Sequence, residues 1–212
     1  LNSTGNQAGL VSYSSHSSKG GVINWTSLTN NKNFLINQID TYDGLDYTCI
    51  SCGIKNATNT IKAQSNPNRF KGMLVMTDGI ANTCIPGTDG GGCGSGYNSK
   101  AGGEATNWAC NARNATNNIT VFAVGFGNEA DIDQIKRIAC WNCTACSDSN
   151  RSNKPPDSSN CWIQNITLPN STITTCLKSR WAVSNDSEEL KKIYDQFARW
   201  MVGLGYEEQR VN

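Results

Sequence analysis

Charged residues, histidine and long apolar runs are all scarce in this sequence of 212 residues. Only 17% of the residues are charged, and 18 Lys and Arg against 17 Asp and Glu leave a formal net charge of +1. Because no basic patch or charge block stands out, a nucleic-acid partner is not expected. The longest nearly apolar run, 119–127, is about half of what a membrane-spanning helix needs. This composition therefore predicts a globular protein without a membrane-spanning segment.

Histidine and phosphate-loop patterns are the next absences. The sequence has a single histidine, His16. With one histidine, the ordinary forms of zinc hydrolase sites and of Ser-His-Asp triads are not expected. The glycine-rich run 89–96 lacks the G-x4-G-K-[ST] order of a phosphate-binding loop and is interpreted as a flexible lip. We therefore expect no enzymatic activity.

Cysteines and N-x-S/T triplets are abundant instead. Ten cysteines exceed what a reduced cytosolic protein usually carries, and ten triplets are candidate N-glycosylation sites. Together they predict an extracellular or cell-surface protein whose cysteines are paired in disulfides. The cysteines are Cys49, Cys52, Cys84, Cys93, Cys110, Cys140, Cys143, Cys146, Cys161 and Cys176. The triplets begin at Asn2, Asn24, Asn56, Asn114, Asn118, Asn142, Asn150, Asn165, Asn170 and Asn185.

Occupancy of these triplets is expected to follow local structure. Asn24, Asn150, Asn165 and Asn170 are expected in turns or in the cysteine-rich segment, where a glycan fits easily. Asn114 and Asn118 flank a predicted buried strand and are expected to carry less glycan.

Two cysteine clusters permit other chemistry. Cys49 and Cys52 have redox-motif spacing at a predicted helix start, but an acidic loop precedes them where that motif needs a buried strand. Cys140, Cys143 and Cys146 have the spacing of a zinc or iron–sulfur binder, but the fourth cysteine is missing. Structural disulfides are the preferred interpretation of both, and Cys84 is expected to pair with Cys93 or Cys110.

The order of predicted elements indicates an α/β fold. Continuous apolar runs at 70–76 and 119–126 are typical of parallel strands covered on both faces, and each precedes a predicted helix. The expected architecture is a doubly wound, mostly parallel, Rossmann-like sheet flanked by helices. The other predicted strands are 7–15, 22–25 and 181–184, and the predicted helices are 28–39, 49–63, 101–117, 130–139 and 187–203.

The last third of the chain interrupts this alternation of predicted strands and helices. Residues 139–177 form a predicted cysteine-rich insertion without helical or alternating period, placed before the last strand. The final helix is expected to start with a capping box at Asn185 and Glu188 and to end at Gly203 and Gly205. The expected domain is therefore 1–205, with 206–212 a linker or strand that leads into another part of a longer protein.

Four stretches, in order, resemble a von Willebrand factor type A domain. They are A-G-L-V-S-Y-S-S at 8–15, F-K-G-M-L-V-M-T-D-G-I-A-N at 70–82, I-T-V-F-A-V-G-F-G-N-E-A-D-I-D-Q-I-K-R-I-A at 119–139, and W-A-V-S-N-D-S-E-E-L-K-K-I-Y-D-Q-F-A at 181–198. The resemblance implies the α/β fold and places binding at the carboxyl end of the sheet.

The resemblance also implies a metal-ion-dependent adhesion site for Mg²⁺ or a similar cation. By matched position Thr48 and Asp78 would be metal ligands, and the loop 40–48 and the lip 80–96 would form the ligand face, including Asp43, Asp46, Asn82 and Asp89. The family's D-x-S-x-S motif follows no strand in this sequence, and the family's first strand has no counterpart. Either a separate segment carries that strand, or this member has lost metal binding.

Three function classes follow. The leading hypothesis is an extracellular binding or adhesion module of a larger cell-surface protein, with a protein ligand held at a metal-dependent site. The alternative is a structural, glycosylated subunit of a surface filament or pilus, with neighbouring subunits as partners, N-linked glycans and a vestigial metal site. A redox or cluster-bearing protein is the third class, and it predicts free thiols.

Overall fold

Seven strands and five helices make up the part of the chain that the structure describes. A computed structural model of the chain describes residues 5–14, 22–42, 47–86, 93–96, 99–139, 162–168, 171–177 and 180–208. The strands are β1 Val11–Tyr13, β2 Val22–Trp25, β3 Gly72–Thr77, β4 Thr120–Phe126, β5 Trp162–Leu168, β6 Ser171–Leu177 and β7 Trp181–Ser184. The helices are α1 Lys32–Ile39, α2 Ile50–Gln64, α3 Lys100–Arg113, α4 Ile132–Ala139 and α5 Ser187–Glu208.

A three-stranded parallel sheet, in the order β3-β4-β7, forms the centre of the fold. Successive side chains of a strand point to opposite faces, and β4 is apolar on both. Val121 and Ala123 pack in one cluster with α2, α3 and α4, while Phe122 packs on the other side against Phe197 of α5, with ring centroids 5.2 Å apart. Helices therefore cover both faces of the sheet, which confirms the expected α/β fold class.

Small side chains bring α3 close to its neighbours. Its buried positions Ala101, Ala105, Ala109 and Ala112 recur at intervals of three or four residues and so share one face of the helix. Because alanine leaves little bulk between helices, α3 approaches α2 and β4 closely. The same face contributes to the main apolar cluster with Ile50 and Ile54 of α2.

The strands β1 and β2 form a separate antiparallel pair beside the central sheet. Helix α2 packs against both β1 and β3. Among the described residues no main-chain hydrogen bond joins β1 to β3. Instead, the Tyr13 hydroxyl donates to the main-chain oxygen of Met76, and a Cβ added at Gly53 would collide with the Tyr13 ring. A side chain therefore links the two sheets.

The last third of the chain corrects two expectations. Within the insertion 139–177, β5 and β6 pair as an antiparallel hairpin, where no regular structure was expected. Helix α5 continues to Glu208, so Gly203 and Gly205 do not end it and 206–208 are not a strand or linker. A glycine inside a helix costs only about 1 kcal/mol, which the rest of a 22-residue helix can outweigh.

The start of α5 and several glycan positions also differ from expectation. Asp186, rather than Asn185, caps the helix, because its Oδ1 accepts from the amides of Glu188 and Glu189 at 2.8 and 2.9 Å. Asn24 lies within strand β2, not in a turn.

The surroundings of three more candidate glycan sites differ from what the sequence indicates, while their occupancy stays a prediction. Asn114 and Asn118 are exposed, so burial gives no reason for low glycan occupancy there. Asn56 lies inside α2 with its Oδ1 buried and without a hydrogen-bond partner, which makes it a poor acceptor. In the described ranges, no helix has the length and apolar character that a bilayer crossing requires.

Candidate functional site

The site that the sequence predicts lies at the carboxyl edge of the sheet, defined here as the turns after β3, β4 and β7 together with the loop 47–49. Asp78 follows β3 directly, and Thr48 lies two residues before α2. Parallel strands bring such turns to one side of the sheet. The fold therefore places both predicted metal ligands at the same edge.

Thr48 and the Thr77-Asp78-Gly79 turn are close neighbours. A Cβ built on Gly79 would lie 3.3 Å from Oγ1 of Thr48, so the Thr48 hydroxyl faces this turn directly. The Asp78 side chain is exposed. The structure thus brings a hydroxyl oxygen and a carboxylate together at one solvent-accessible corner.

Asn82 fixes the position of Thr48. Its side-chain Oδ1 accepts from the main-chain amide of Thr48 at 2.8 Å and from the Thr83 hydroxyl at 3.1 Å. The main-chain amide of Asn82 donates in turn to the main-chain oxygen of Thr48 at 3.2 Å. Asn82 was predicted to belong to the ligand face. Because its Oδ1 accepts two hydrogen bonds within the chain, Asn82 positions Thr48.

Neighbouring hydroxyls, which the sequence analysis missed, hold the rest of the corner. The Thr77 hydroxyl donates to the Gly79 main-chain oxygen at 3.1 Å and accepts from the Gly79 amide at 3.3 Å. The Ser14 hydroxyl donates to the Tyr47 main-chain oxygen at 3.0 Å, and the Ser14 main-chain oxygen accepts from the Cys49 amide. Ser and Thr at strand ends commonly bond to local main chain, which was the available signal.

Tyr13 brings an electrostatic link to the same corner. Burial raises the pKa of its phenol above the ordinary value; a hydrogen bond with Thr77 opposes that rise, and the negative charge of Asp78 adds to it. Tyr13 therefore remains a neutral hydrogen-bond donor at physiological pH.

Two disulfides brace this edge. Cys49, the residue before α2, is bonded to Cys52, and both are buried beside Ile85. Cys84 is bonded to Cys93, one of its two expected partners, and Cys110 is also disulfide-bonded. The described part of the chain holds no free cysteine. The Cys49–Cys52 bond confirms the predicted structural disulfide at the start of α2, in place of a redox motif with free thiols.

The lip after Asp78 is anchored at both ends where the structure describes it. The Gly96 amide donates to the Ala81 main-chain oxygen at 3.0 Å. This hydrogen bond holds residues 93–96 close to the turn that contains Asp78. The Glu104 carboxylate accepts from the Ile85 amide at 2.9 Å and from the Ser51 hydroxyl at 3.4 Å, joining the lip to α2 and α3. The lip is thus tied to the helices on either side.

The remaining predicted site residues fall outside the described ranges. They are Asp43, Asp46 and Asp89, the cysteines Cys140, Cys143, Cys146 and Cys161, and the triplets at Asn2, Asn142, Asn150 and Asn170.

The residues present fit part of a Mg²⁺ site. Threonine hydroxyl and aspartate carboxylate oxygens are hard ligands of the kind that Mg²⁺ prefers. Thr48 and Asp78 are the predicted ligands at the described corner that supply such oxygens, and no group of three or more His, Cys, Asp or Glu side chains suited to a metal occurs in the described residues. These two residues would hold the ion, which would need further ligands or water to complete its shell.

Comparison with known proteins identifies the class. The family model of the von Willebrand factor type A domain matches residues 1–155, and the chain belongs to this family. Two structures of the pilus adhesin SpaC from Lactobacillus rhamnosus GG, one in the open conformation, share the fold at TM-scores of 0.56 and 0.55. Each is 14% identical to this chain, and each match covers 92% of this chain but 25% of the adhesin chain. No curated protein matches the sequence.

Proposed function

We propose that this chain is a protein-binding module of an extracellular adhesive protein, with the carboxyl edge around Thr48 and Asp78 as its ligand face. The observation that carries the proposal is the placement of the Thr48 hydroxyl 3.3 Å from a Cβ built on Gly79, beside an exposed carboxylate. This corner presents hard oxygen atoms to solvent. A cation held there would leave coordination positions for an acidic group of the partner.

Three further features support an adhesive rather than a catalytic role. The disulfides Cys49–Cys52 and Cys84–Cys93 favour an oxidising compartment outside the cell. Thr48 is fixed by hydrogen bonds of its main-chain amide and oxygen to Asn82, which suits a site that is held in place for binding. The structural relatives are pilus adhesins, and we propose the same general role for this chain.

The metal dependence of this function rests on ligands beyond Thr48 and Asp78. The edges of β1 and β3 are not hydrogen-bonded to each other, and the Tyr13 side chain spans the space between them. We propose that a strand ending in D-x-S-x-S displaces the Tyr13 side chain from this space, pairs with these strand edges and adds one carboxylate and two hydroxyls at the carboxyl edge. The two ligands alone would hold Mg²⁺ weakly, at about millimolar concentration or above, because Mg²⁺ dehydrates reluctantly.

Calorimetry of Mg²⁺ and Mn²⁺ binding tests this proposal. The chain alone should bind weakly, and a chain extended at its amino terminus by a strand ending in D-x-S-x-S should bind more tightly. Asp78→Ala should abolish binding in the extended chain, whereas Asp195→Ala, at an exposed position of α5, should leave it unchanged.

Two results would redirect the proposal. Tight binding by the chain alone would mean other ligands, with Asp43, Asp46 and Asp89 the first to substitute. Absence of binding by the extended chain would favour the alternative role, a structural glycosylated subunit of a surface filament or pilus.

A further inference from the structure

The opposite side of the sheet carries a buried positive charge without a partner. This side, the amino edge, comprises the end of α3 and the residues that precede β4 and β7. Arg113 is the last residue of α3, and its Nε, Nη1 and Nη2 atoms are all buried with no hydrogen-bond partner. No carboxylate in the described ranges pairs with it.

A second arginine adds positive charge at the same edge. Arg180 directly precedes β7, and its main-chain oxygen accepts from the Ala123 amide at 2.9 Å. Burial, and after it the positive charge of Arg180, together lower the pKa of Arg113 to about 9. Arg113 nevertheless stays charged at neutral pH.

A buried guanidinium in this state is energetically unfavourable unless a further group is bound. Removing an ion from water costs several kcal/mol, and that cost is offset only by an opposite charge with good hydrogen bonds. Buried polar groups that lack partners in a native fold commonly mark an ion or water that binds there. Because water alone does not neutralise the charge, an anion is the better partner.

We propose that Arg113, with the charge of Arg180 nearby, forms an oxyanion-binding site at the amino edge of the sheet. The planar guanidinium offers five N–H donors in a fork that matches two oxygens of a phosphate, sulfate or carboxylate group. This site lies at the opposite end of the strands from Thr48 and Asp78 and does not depend on the proposed adhesive function.

Thermal unfolding at constant ionic strength tests the site. Phosphate or sulfate, exchanged for chloride, should raise the midpoint of the whole chain saturably, by roughly 5 to 10 °C at a hundredfold excess over Kd. Acetate serves as a third arm. A response to acetate as well assigns the site to carboxylates such as those of a protein partner, whereas a response to phosphate and sulfate alone assigns it to free inorganic anions.

Substitutions identify the residue responsible. Arg113→Met should remove the anion response and, in chloride, should unfold at or above the midpoint of the unaltered chain, because it removes an unpaired buried charge. Arg199→Gln, at an exposed position of α5, should keep the full response. Arg113→Lys retains the charge without the fork and should weaken phosphate binding about tenfold in calorimetry, the loss of one charge-assisted hydrogen bond.

Two results would overturn the proposal. One is an equal anion response in the unaltered chain and in Arg113→Met. The other is a midpoint of Arg113→Met well below that of the unaltered chain in chloride, combined with no anion response in either, which would show that Arg113 is paired within the chain.

Discussion

The two ends of the three-stranded sheet satisfy their polar groups in different ways. At the carboxyl edge the groups pair with one another: Asn185 Nδ2 donates to Asn128 Oδ1 at 2.7 Å, and Asp186 accepts two amides of α5. At the amino edge the guanidinium of Arg113 is buried with no hydrogen-bond partner among the described residues. The carboxyl edge is thus preorganised by the chain itself, whereas the amino edge calls for a bound group to complete it.

The disulfide across the lip should contribute most to the carboxyl edge. Replacing Cys84 and Cys93 by alanine releases a loop of about ten residues, and the loop-entropy relation predicts a loss of about 3 kcal/mol in the free energy of unfolding. The matched pair Cys49→Ala and Cys52→Ala opens a much shorter loop and should lose about 2 kcal/mol. Denaturant titration measures both. A larger loss from the shorter loop would contradict the entropic account.

The cap of α5 should contribute next. Asp186→Ala removes the acceptor for two helix amides and should lower the free energy of unfolding by between about 1 and 2 kcal/mol. Asp186→Asn keeps an acceptor oxygen and should lose far less. If both variants unfold alike in denaturant, the carboxyl edge is not stabilised by this cap.

The bonds from Asn82 should have a smaller effect on stability and a clear effect on the site. Asn82→Ala leaves the Thr48 amide without its side-chain acceptor and should lower the free energy of unfolding by about 1 kcal/mol. It should also weaken Mn²⁺ binding, because Thr48 is no longer fixed. Asn82→Asp retains the acceptor oxygen and serves as the control for stability, and Asp195→Ala, at an exposed position of α5, serves as the control for Mn²⁺ binding. Unchanged Mn²⁺ affinity in Asn82→Ala would exclude a positioning role.

The smallest effect at neutral pH is expected from Tyr13. Tyr13→Phe removes the hydrogen bond to Met76, a change of about 0.5 to 1 kcal/mol. Burial raises the folded-state pKa of Tyr13 above 10.0, so the folded chain binds this proton more tightly than the unfolded chain. The resulting stabilisation is fully present below about pH 10 and is lost as the pH rises further.

A rapid alkaline titration followed by tyrosinate absorbance checks this behaviour. The difference between the unaltered chain and Tyr13→Phe should show one phenol that ionises above pH 10.0, the ordinary pKa of tyrosine. Ionisation of Tyr13 at about pH 10, the ordinary pKa of a tyrosine, would mean that its side chain does not lie buried between the two sheets.

Local patterns in the sequence predict the elements of the sheet but not the environment of single polar groups. The runs that became β3 and β4 were predicted because strands covered on both faces are apolar throughout. The hairpin β5 and β6 was missed because cysteines and prolines around it hid runs rich in β-branched residues.

The surroundings of single side chains depend on tertiary contacts, which local sequence patterns do not predict. Thr48 and Asp78 were found through the family resemblance, and the fold then brought them together. Arg113 has the local pattern of a solvated arginine at a helix end. Its side-chain nitrogens are nevertheless buried, and no local signal in the sequence marks that burial.

Paramagnetic broadening by Mn²⁺ tests the central claim most directly, because it reports where on the chain a cation binds. In spectra of the amide groups at about 1 mM Mn²⁺, the signals of Thr48, Asp78 and Gly79 should broaden first and those of Arg113 should stay sharp. In Asp78→Ala that selective broadening should disappear, while Asp195→Ala should preserve it. Broadening that is uniform, or that persists at Thr48 and Gly79 in Asp78→Ala, would contradict the assignment of the ligand face to the carboxyl edge.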